Sequence, residues 1–234
     1  MAAYTPSSDG AVLELLHVSK RLGAATLSYD LDLRLGRGEA AAVVGRSGIG
    51  KTTLLRIAAL LDTEYRGAVT VLGQRFTGGA RLPSKASQLR LRSMGYVPQF
   101  HGLLSTLTVE ENIRLPLDMM GVPRRQATER VHVVAERLGV THVLTSFPAE
   151  VSGGESQRAA IARALVKSPG IIVAEEPYAS QDERNIRLIT DAFREYTRSG
   201  GSILMSAVRP PNTEWIREVP IEQYLSTSRA ADTD

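Results

Sequence analysis

A glycine-rich segment at residues 45–53 has the residue types and the spacing that bind phosphate. Its first eight residues fit the pattern G-x-x-x-x-G-K-[ST], and the segment comprises Gly45, Arg46, Ser47, Gly48, Ile49, Gly50, Lys51, Thr52 and Thr53. Glycines let backbone N–H groups converge on phosphate oxygens, because they adopt conformations that a Cβ atom forbids. We expect Lys51 to neutralise the β- and γ-phosphates of a nucleotide and the Thr52 hydroxyl to reach Mg²⁺. The segment therefore predicts a site for a nucleoside triphosphate and its magnesium ion.

Two adjacent carboxylates, Glu175 and Glu176, end an apolar run that is typical of a buried strand. In an open α/β sheet, ligands bind at the carboxyl ends of the strands. A carboxylate at that edge can hold a metal ion through water, and a second one can orient or deprotonate an attacking water. Because adjacent acids repel each other and are costly to desolvate, we interpret the pair as functional.

A second anion-binding feature is predicted at Ser152, Gly153, Gly154 and Glu155. A serine followed three residues later by glutamate is the capping box of a helix N-terminus. Such a terminus presents N–H groups and a favourable dipole to anions, and two glycines keep it accessible. On these residues alone, a purely structural cap stays an alternative.

The elements that must position these residues follow from the apolar periodicity. Core strands are predicted at 40–45, 94–99, 170–177 and 202–208, and helices at 51–61, 109–120, 124–138, 152–167 and 184–197. Further predictions are strands at 13–19, 26–35 and 67–73, a helix kink at Pro116 and an irregular segment at 74–93. An all-helical block between two regions of alternating strand and helix indicates a parallel-sheet core with an inserted helical subdomain.

We expect one domain over residues 11–225, with its helical subdomain at about residues 100–167. Residues 1–10 and 226–234 are small and polar, which predicts mobile tails. No internal repeat, low-complexity tract or long linker interrupts the sequence between these tails.

The composition indicates a soluble globular protein and excludes several classes of site. The 234 residues carry a net charge of +3 and are 43% hydrophobic, which rules out wholesale disorder. The absence of cysteine excludes disulfide frameworks and thiolate metal sites, and the four histidines lack metal-ligand spacing. No apolar run approaches the ~20 residues that span a bilayer, and the N-terminal residues do not have the pattern of a secretory signal. We therefore expect a chain that reaches a membrane only through a partner.

The order of these motifs resembles that of ATP-binding-cassette (ABC) ATPases. The phosphate segment, residues 96–99, residues 151–158, the carboxylate strand and Asp182 follow one another at the family's spacing. Residues 151–158 resemble the family signature, usually written L-S-G-G-Q, in its variant with glutamate in the fifth place. The resemblance covers about residues 12–210. It implies an α/β P-loop NTPase (RecA-like) fold, with a parallel-sheet core, an N-terminal antiparallel β subdomain and an inserted α-helical subdomain.

The resemblance also implies a role for each candidate residue. Glu176 would be the catalytic base, assisted by Lys51, and Glu175 would stand at the place of the metal-binding Walker B aspartate. Gln99 would contact the nucleotide and its Mg²⁺ and couple the site to a membrane partner. Two such domains bind head to tail in this family, so residues 152–155 of one would cap the ATP held by the phosphate segment of the other.

Three departures from the family pattern predict a slow or degenerate site. Glu175 replaces an aspartate, and its extra methylene must fold back to suit the strict octahedral geometry of Mg²⁺. Residues 206–209, Ser-Ala-Val-Arg, lack the switch histidine of the family. If that histidine acts as one preorganised hydrogen-bond donor, its loss lowers the rate of hydrolysis by roughly 10²–10³. Residues 19–23 offer no aromatic ring to stack on adenine, which leaves Arg21 or Leu22 to cover the base.

Residues 100–104, 111–112 and 116–117 resemble especially the subfamily of lipoprotein-releasing and macrolide-exporting ATPases. This resemblance implies a subunit that couples ATP binding and hydrolysis to an integral-membrane permease. Its other partner would be a second ABC ATPase subunit rather than nucleic acid, at the cytoplasmic face of the inner membrane. Two alternatives stay open. The departures favour a catalytically weak structural or regulatory subunit, whereas the short distance between the nucleotide motifs and the lack of heptads oppose a soluble ABC ATPase acting on DNA or ribosomes.

Overall fold

The computed structural model describes residues 10–22, 25–29, 32–79, 83–99, 102–211 and 213–228. Within these ranges the strands are β1 (Ala11–Leu22), β2 (Ala25–Tyr29), β3 (Leu33–Gly36), β4 (Ala40–Val44), β5 (Arg66–Val71), β6 (Gln74–Thr77), β7 (Met94–Val97), β8 (Ile171–Glu175), β9 (Ser202–Ala207), β10 (Ile216–Pro220) and β11 (Leu225–Ser228). The helices are α1 (Lys51–Ala58), α2 (Ser84–Ser93), α3 (Val109–Met119), α4 (Arg124–Arg137), α5 (Gly153–Leu165) and α6 (Glu183–Arg198). Three short 3₁₀ helices cover Thr141–Val143, Pro148–Glu150 and Ile221–Tyr224.

Five parallel strands form the central sheet, in the order β10-β4-β9-β8-β7. Strands β8 and β9 are buried along their whole length, as the apolar runs predicted. All five strands run in the same direction, so the segments that follow β4, β7 and β8 meet at one edge of the sheet. The phosphate segment, Gln99 and Glu176 therefore lie at the same edge.

A second sheet is antiparallel and covers one face of the molecule, in the order β11-β2-β1-β5-β6, with β3 also paired to β1. Helix α1 lies between the two sheets, because Leu54, Leu55 and Ile57 share one apolar cluster with residues of both. This packing fixes the direction in which the N-terminus of α1 points and hence the position of the phosphate segment.

The opposite face of the parallel sheet is covered by α3, α4, α5 and α6, whose apolar residues share a second cluster with Ile172 and Ile203. Helices α3, α4 and α5 lie between β7 and β8 in the chain, which confirms the inserted helical subdomain. Helix α3 continues through Pro116 to Met119. Its fully buried Asn112 holds the preceding loop by donating to the carbonyls of Leu104, Leu107 and Thr108 and by accepting from the N–H of Leu104.

Several elements differ from the predictions. Within the predicted irregular segment, residues 74–77 form β6 and residues 84–93 form α2, two elements in which few side chains are buried and the apolar period is weak. Residues 26–35 were predicted as one strand but contribute to two, β2 and β3. Strands β10 and β11 were not predicted, and β11 includes residues 226–228 of the expected C-terminal tail. Residues 1–9 and 229–234 of the expected tails lie outside the described residues.

Within the described part of the chain, no helix has both the length and the apolar character that crossing a bilayer requires.

Candidate functional site

A cavity of about 210 Å³ opens at the carboxyl edge of the parallel sheet. It brings together the middle of the phosphate segment and the ends of two neighbouring strands. Its lining residues are Ser47, Gly48, Gly50, Lys51, Thr52, Thr53, Gln99 and Glu176. The structure thus places seven of the predicted nucleotide-binding residues, together with Glu176, around one space.

The phosphate segment has the backbone conformation that its glycines allow. Gly48 and Gly50 adopt φ values of +79° and +103°, which residues with a Cβ atom rarely adopt. Gly50 is the N-cap of α1 and provides no side-chain cap to the first turn of the helix. A helix N-terminus of this kind directs N–H groups and the positive end of its dipole into the cavity.

Lys51 is the buried cation of the cavity, with only 4% of its surface exposed. Its Nζ atom donates hydrogen bonds to the carbonyl oxygens of Gly45 at 2.7 Å and Arg46 at 3.0 Å. Oε1 of Glu176 lies 3.8 Å from the same nitrogen. The ammonium group is therefore fixed by the loop and forms an ion pair with the Glu176 carboxylate in the wall of the cavity.

Three hydrogen bonds, made with two residues, hold Glu176. Its N–H donates to the carbonyl oxygen and to Oγ of Ser206, both at 3.1 Å, and its Oε2 accepts from Nε2 of Gln99 at 3.2 Å. The residue has a φ of +42°, which is uncommon for glutamate and costs of the order of 1 kcal/mol or more. Strained backbone held by such contacts is frequent at functional sites, and here it directs the carboxylate into the cavity.

Glu175 does not join its neighbour in the cavity. The Tyr96 hydroxyl donates a hydrogen bond to Oε1 of Glu175 at 2.5 Å, and Glu175 is only 5% exposed. Burial and the hydrogen bond that Tyr96 donates to Glu175 raise the pKa of Tyr96 above its ordinary value, so the phenol remains a donor. Of the three predicted metal ligands, Thr52 and Gln99 line the cavity, whereas Glu175 faces Tyr96.

The signature residues form the N-terminus of α5, outside this cavity. Ser152 and Glu155 make the predicted capping box, in which each accepts a hydrogen bond from the backbone N–H of the other. His142 lies 2.8 Å from Oε1 of Glu155. Hydrogen bonds from Ser152 and His142 lower the pKa of Glu155 to about 2, so the carboxylate is ionised at neutral pH. On the other side, Gln181 donates to the carbonyl of Gly154 at 3.3 Å.

The end of β9 contains no histidine, as the sequence indicated. Strand β9 ends at Ala207, and Val208 and Arg209 are exposed. Arg209 lines a second cavity of about 250 Å³ together with Glu176 and Tyr178. The third departure, at residues 19–23, is only partly described: Lys20 binds Asp62, whereas the side chains of Arg21 and Leu22, and Gly23 itself, lie outside the described residues.

Four contacts at the site were not predicted. Ser206 supports the backbone of Glu176, Tyr96 holds Glu175, and His142 and Gln181 hold the signature turn. In addition, Glu222 accepts a hydrogen bond from the N–H of Arg46 at 3.0 Å, which lowers the pKa of Glu222. Tyr96 lies within the motif at residues 96–99, but each of these contacts joins residues that are distant in sequence or on separate elements, and no local pattern marks them.

Comparison with known proteins agrees with this geometry. The family model described as ABC transporter matches residues 29–179. The chain is 37% identical over 180 residues to the bacitracin export ATP-binding protein BceA of Halalkalibacterium halodurans, covering 75% of this chain and 70% of that protein. It is 37% identical over 196 residues to the lipoprotein-releasing system ATP-binding protein LolD of Aquifex aeolicus, covering 83% and 86%. LolD of Pseudomonas fluorescens is 42% identical over 170 residues, covering 72% and 74%.

Solved structures show the same fold. The ATP-binding cassette MJ0796, in a dimeric post-hydrolysis state bound to ADP and Pi, superposes with a TM-score of 0.79 at 23% identity, covering 94% of this chain and 100% of that one. A structure described as the ATP binding subunit of an ABC transporter gives a TM-score of 0.73 at 27% identity, covering 84% and 79%. The matched family model and the relatives together establish that this chain belongs to the ABC transporter family, as one of its ATP-binding ATPase subunits.

Proposed function

We propose that this chain is a peripheral subunit at the cytoplasmic face of the inner membrane, where it couples ATP binding and hydrolysis to an integral-membrane permease. Relatives named for lipoprotein release and for bacitracin export support a role of this release or efflux type.

One observation carries the proposal, namely the convergence of Lys51, Gln99 and Glu176 on one cavity beside the N-terminus of α1. In this arrangement Lys51 and the helix N–H groups bind the phosphates and stabilise the charge that develops during transfer. Glu176 faces the same space and orients or deprotonates the attacking water. Gln99 fixes the position of the Glu176 carboxylate through its side-chain amide.

The donor set suits Mg²⁺. Thr52 and Gln99 offer a hydroxyl and an amide oxygen at the cavity, and Mg²⁺ favours oxygen ligands, few of them from the protein and the others from phosphates and water. The described residues contain no group of three or more His, Cys, Asp or Glu side chains that could hold a metal alone, which fits an ion that arrives with its nucleotide. When bound, Mg²⁺ would offset the negative charge of the phosphate oxygens.

The signature turn supports a partner subunit. Ser152, Gly153, Gly154 and Glu155 do not line the cavity of their own chain, and Ser152 and Gly153 are exposed. A second ABC ATPase subunit placed head to tail would receive this helix N-terminus over its own nucleotide. We expect no nucleic acid among the partners.

A second candidate function is a catalytically weak subunit that pairs with an active one. Glu175 binds Tyr96 rather than the cavity, and exposed Arg209 follows the strand after which a switch histidine would stand. Either feature slows hydrolysis without preventing the binding of nucleotide. The signature turn would still complete the partner's site.

ATP hydrolysis by the purified complex separates the two candidates. We compare the unmodified complex with Glu176→Gln, and use Glu214→Gln, an exposed acid outside the cavity, as the matched control. A motor loses at least ten-fold in rate with Glu176→Gln and nothing with Glu214→Gln. Equal rates for the unmodified complex and Glu176→Gln would support the catalytically weak subunit and contradict the motor. Failure to bind ATP would contradict both candidates.

A further inference from the structure

The contact between Tyr96 and Glu175 follows from the register of two neighbouring strands. Tyr96 on β7 pairs with Val173 on β8, and Glu175 lies two residues further along β8. Side chains two residues apart on a strand point to the same face of the sheet. Tyr96 and Glu175 are therefore diagonal neighbours on one face, close enough for the phenol to reach the carboxylate.

The hydrogen bond is of the strong, charge-assisted kind. The oxygen–oxygen distance of 2.5 Å is at the short end for a hydroxyl that donates to a carboxylate. Both groups are withdrawn from solvent, since Glu175 is buried and Tyr96 is half-buried. Such a bond to a charged group contributes more than one between neutral groups, and it directs the Glu175 carboxylate along the sheet.

The contact depends on the length of the glutamate side chain. An aspartate at position 175 would end about 1.5 Å earlier, by one carbon–carbon bond. Its carboxylate would then lie roughly 4 Å from the phenol oxygen, beyond hydrogen-bond distance. The replacement of aspartate by glutamate and the presence of a hydroxyl on residue 96 therefore act as a pair.

We propose that Tyr96 is a positioning residue that holds Glu175 away from the metal side of the nucleotide cavity and so weakens the coupling between nucleotide and divalent cation. This inference rests on the proposed function, because it takes residues 45–53 as the site of a nucleoside triphosphate with Mg²⁺. Thr52 and Gln99 line the cavity, whereas Glu175 does not, and its Oε1 is bound to Tyr96.

The test measures the dissociation constant of ATP for the full chain by calorimetry, once with Mg²⁺ and once with EDTA. The dissociation constant in EDTA divided by that with Mg²⁺ reports how strongly the cation supports nucleotide binding, and this quotient is called the ratio below. We expect Tyr96→Phe to increase this ratio by about ten-fold, the order expected for one hydrogen bond to a charged group, and to leave binding in EDTA unchanged. The matched control is Tyr196→Phe, which removes a buried tyrosine hydroxyl that donates to the carbonyl of Pro169 at 2.7 Å, away from the cavity.

A double-mutant cycle with Glu175→Asp makes the test specific. Because aspartate does not reach residue 96, Tyr96→Phe has no effect on the ratio in the Glu175→Asp background. The inference is overturned if Tyr96→Phe lowers the ratio, leaves it unchanged, or changes it equally in both backgrounds. If the wild-type chain binds nucleotide in EDTA but Tyr96→Phe leaves the ratio unchanged, only the inference is overturned. Absence of binding in both conditions overturns the proposed function and the inference with it.

Discussion

Nζ of Lys51 lies 3.8 Å from Oε1 of Glu176, and both side chains line the cavity that the phosphate segment encloses. The ammonium is fixed by two carbonyls of the loop, and the carboxylate by Gln99. The pair therefore forms a direct contact between opposite charges in the wall of this cavity. A triphosphate inserted there would contact the cation, while the water that attacks it would contact the anion.

Replacement of Lys51 by methionine should weaken ATP binding, because the phosphates lose a charge-assisted contact worth about 1.5–3 kcal/mol. This corresponds to roughly ten- to a hundred-fold in the dissociation constant measured by calorimetry. Lys167→Met is the matched control, since Lys167 is a half-buried lysine that lines a different cavity. Similar losses for both variants would show that the effect arises from the fold rather than from phosphate binding.

Ser152→Ala and Thr108→Ala remove two capping boxes of the same geometry. In each box the hydroxyl accepts a hydrogen bond at 3.2 Å and the N–H of the capping residue donates one at 2.9 Å. Both variants should lose about 1 kcal/mol of unfolding free energy. Only Ser152→Ala should weaken ATP-dependent dimerisation, by at least ten-fold in a light-scattering titration, because only α5 begins with the signature. Equal dimerisation of the two variants would contradict a role for the signature turn between subunits.

The parts that the sequence could predict are those encoded within one element. The phosphate segment, helix α1 and strand β8 have local patterns of glycine placement, helical period and apolar runs, and the structure contains all three. Strands β10 and β11 escaped prediction, and in β10 the two buried apolar residues, Ile216 and Val219, do not alternate regularly. Their formation depends on the neighbouring strands that they extend.

The arrangement of the site was predictable only in part for a related reason. The proximity of Lys51 to Glu176 follows from the edge that parallel strands share. The contact of Tyr96 with Glu175 depends instead on the register of β7 against β8, which is set by the packing of the whole sheet. Glutamate at position 175 indicated an altered metal site, but the sequence could not indicate which neighbour would take up its carboxylate.

Lys167 should give the stability of the protein a distinctive pH dependence. Burial lowers the pKa of Lys167 from its ordinary value of 10.5 to about 8, while its Nζ donates to the carbonyls of Arg90 and Leu91 at the end of α2. Between about pH 8 and pH 10.5 the unfolded chain therefore binds more protons at this residue than the native chain. In this window the unfolding free energy of the wild type should rise with pH relative to that of Lys167→Met.

Urea titrations of both proteins at pH 7.5, 9 and 10.5, values that bracket this window, measure the difference. The buried tyrosines also titrate at high pH, but they are common to both proteins and cancel in the comparison. If the unfolding free energy of the wild type minus that of Lys167→Met stays constant or falls with pH, the lowered pKa of Lys167 is contradicted.

Asn112→Ala should be among the more destabilising substitutions in the helical subdomain. The side chain is fully buried and makes four hydrogen bonds to the backbone of residues 104–108, whose groups would lose their partner. We expect a loss of about 3 kcal/mol of unfolding free energy in urea titrations. Asn185→Ala, at the start of α6, should stay within about 0.5 kcal/mol of the wild type, so comparable losses would contradict the special role of Asn112.

Strand β10 extends the parallel sheet beyond β4, and β11 extends the antiparallel sheet beyond β2. Between them, Glu222 binds the N–H of Arg46 in the phosphate segment. A nascent chain whose synthesis has not passed residue 228 therefore leaves β4 and β2 as open edges, which are prone to pair with other chains. The phosphate segment can therefore take its final arrangement only after residue 222 has been synthesised, because the contact between Glu222 and Arg46 cannot form earlier.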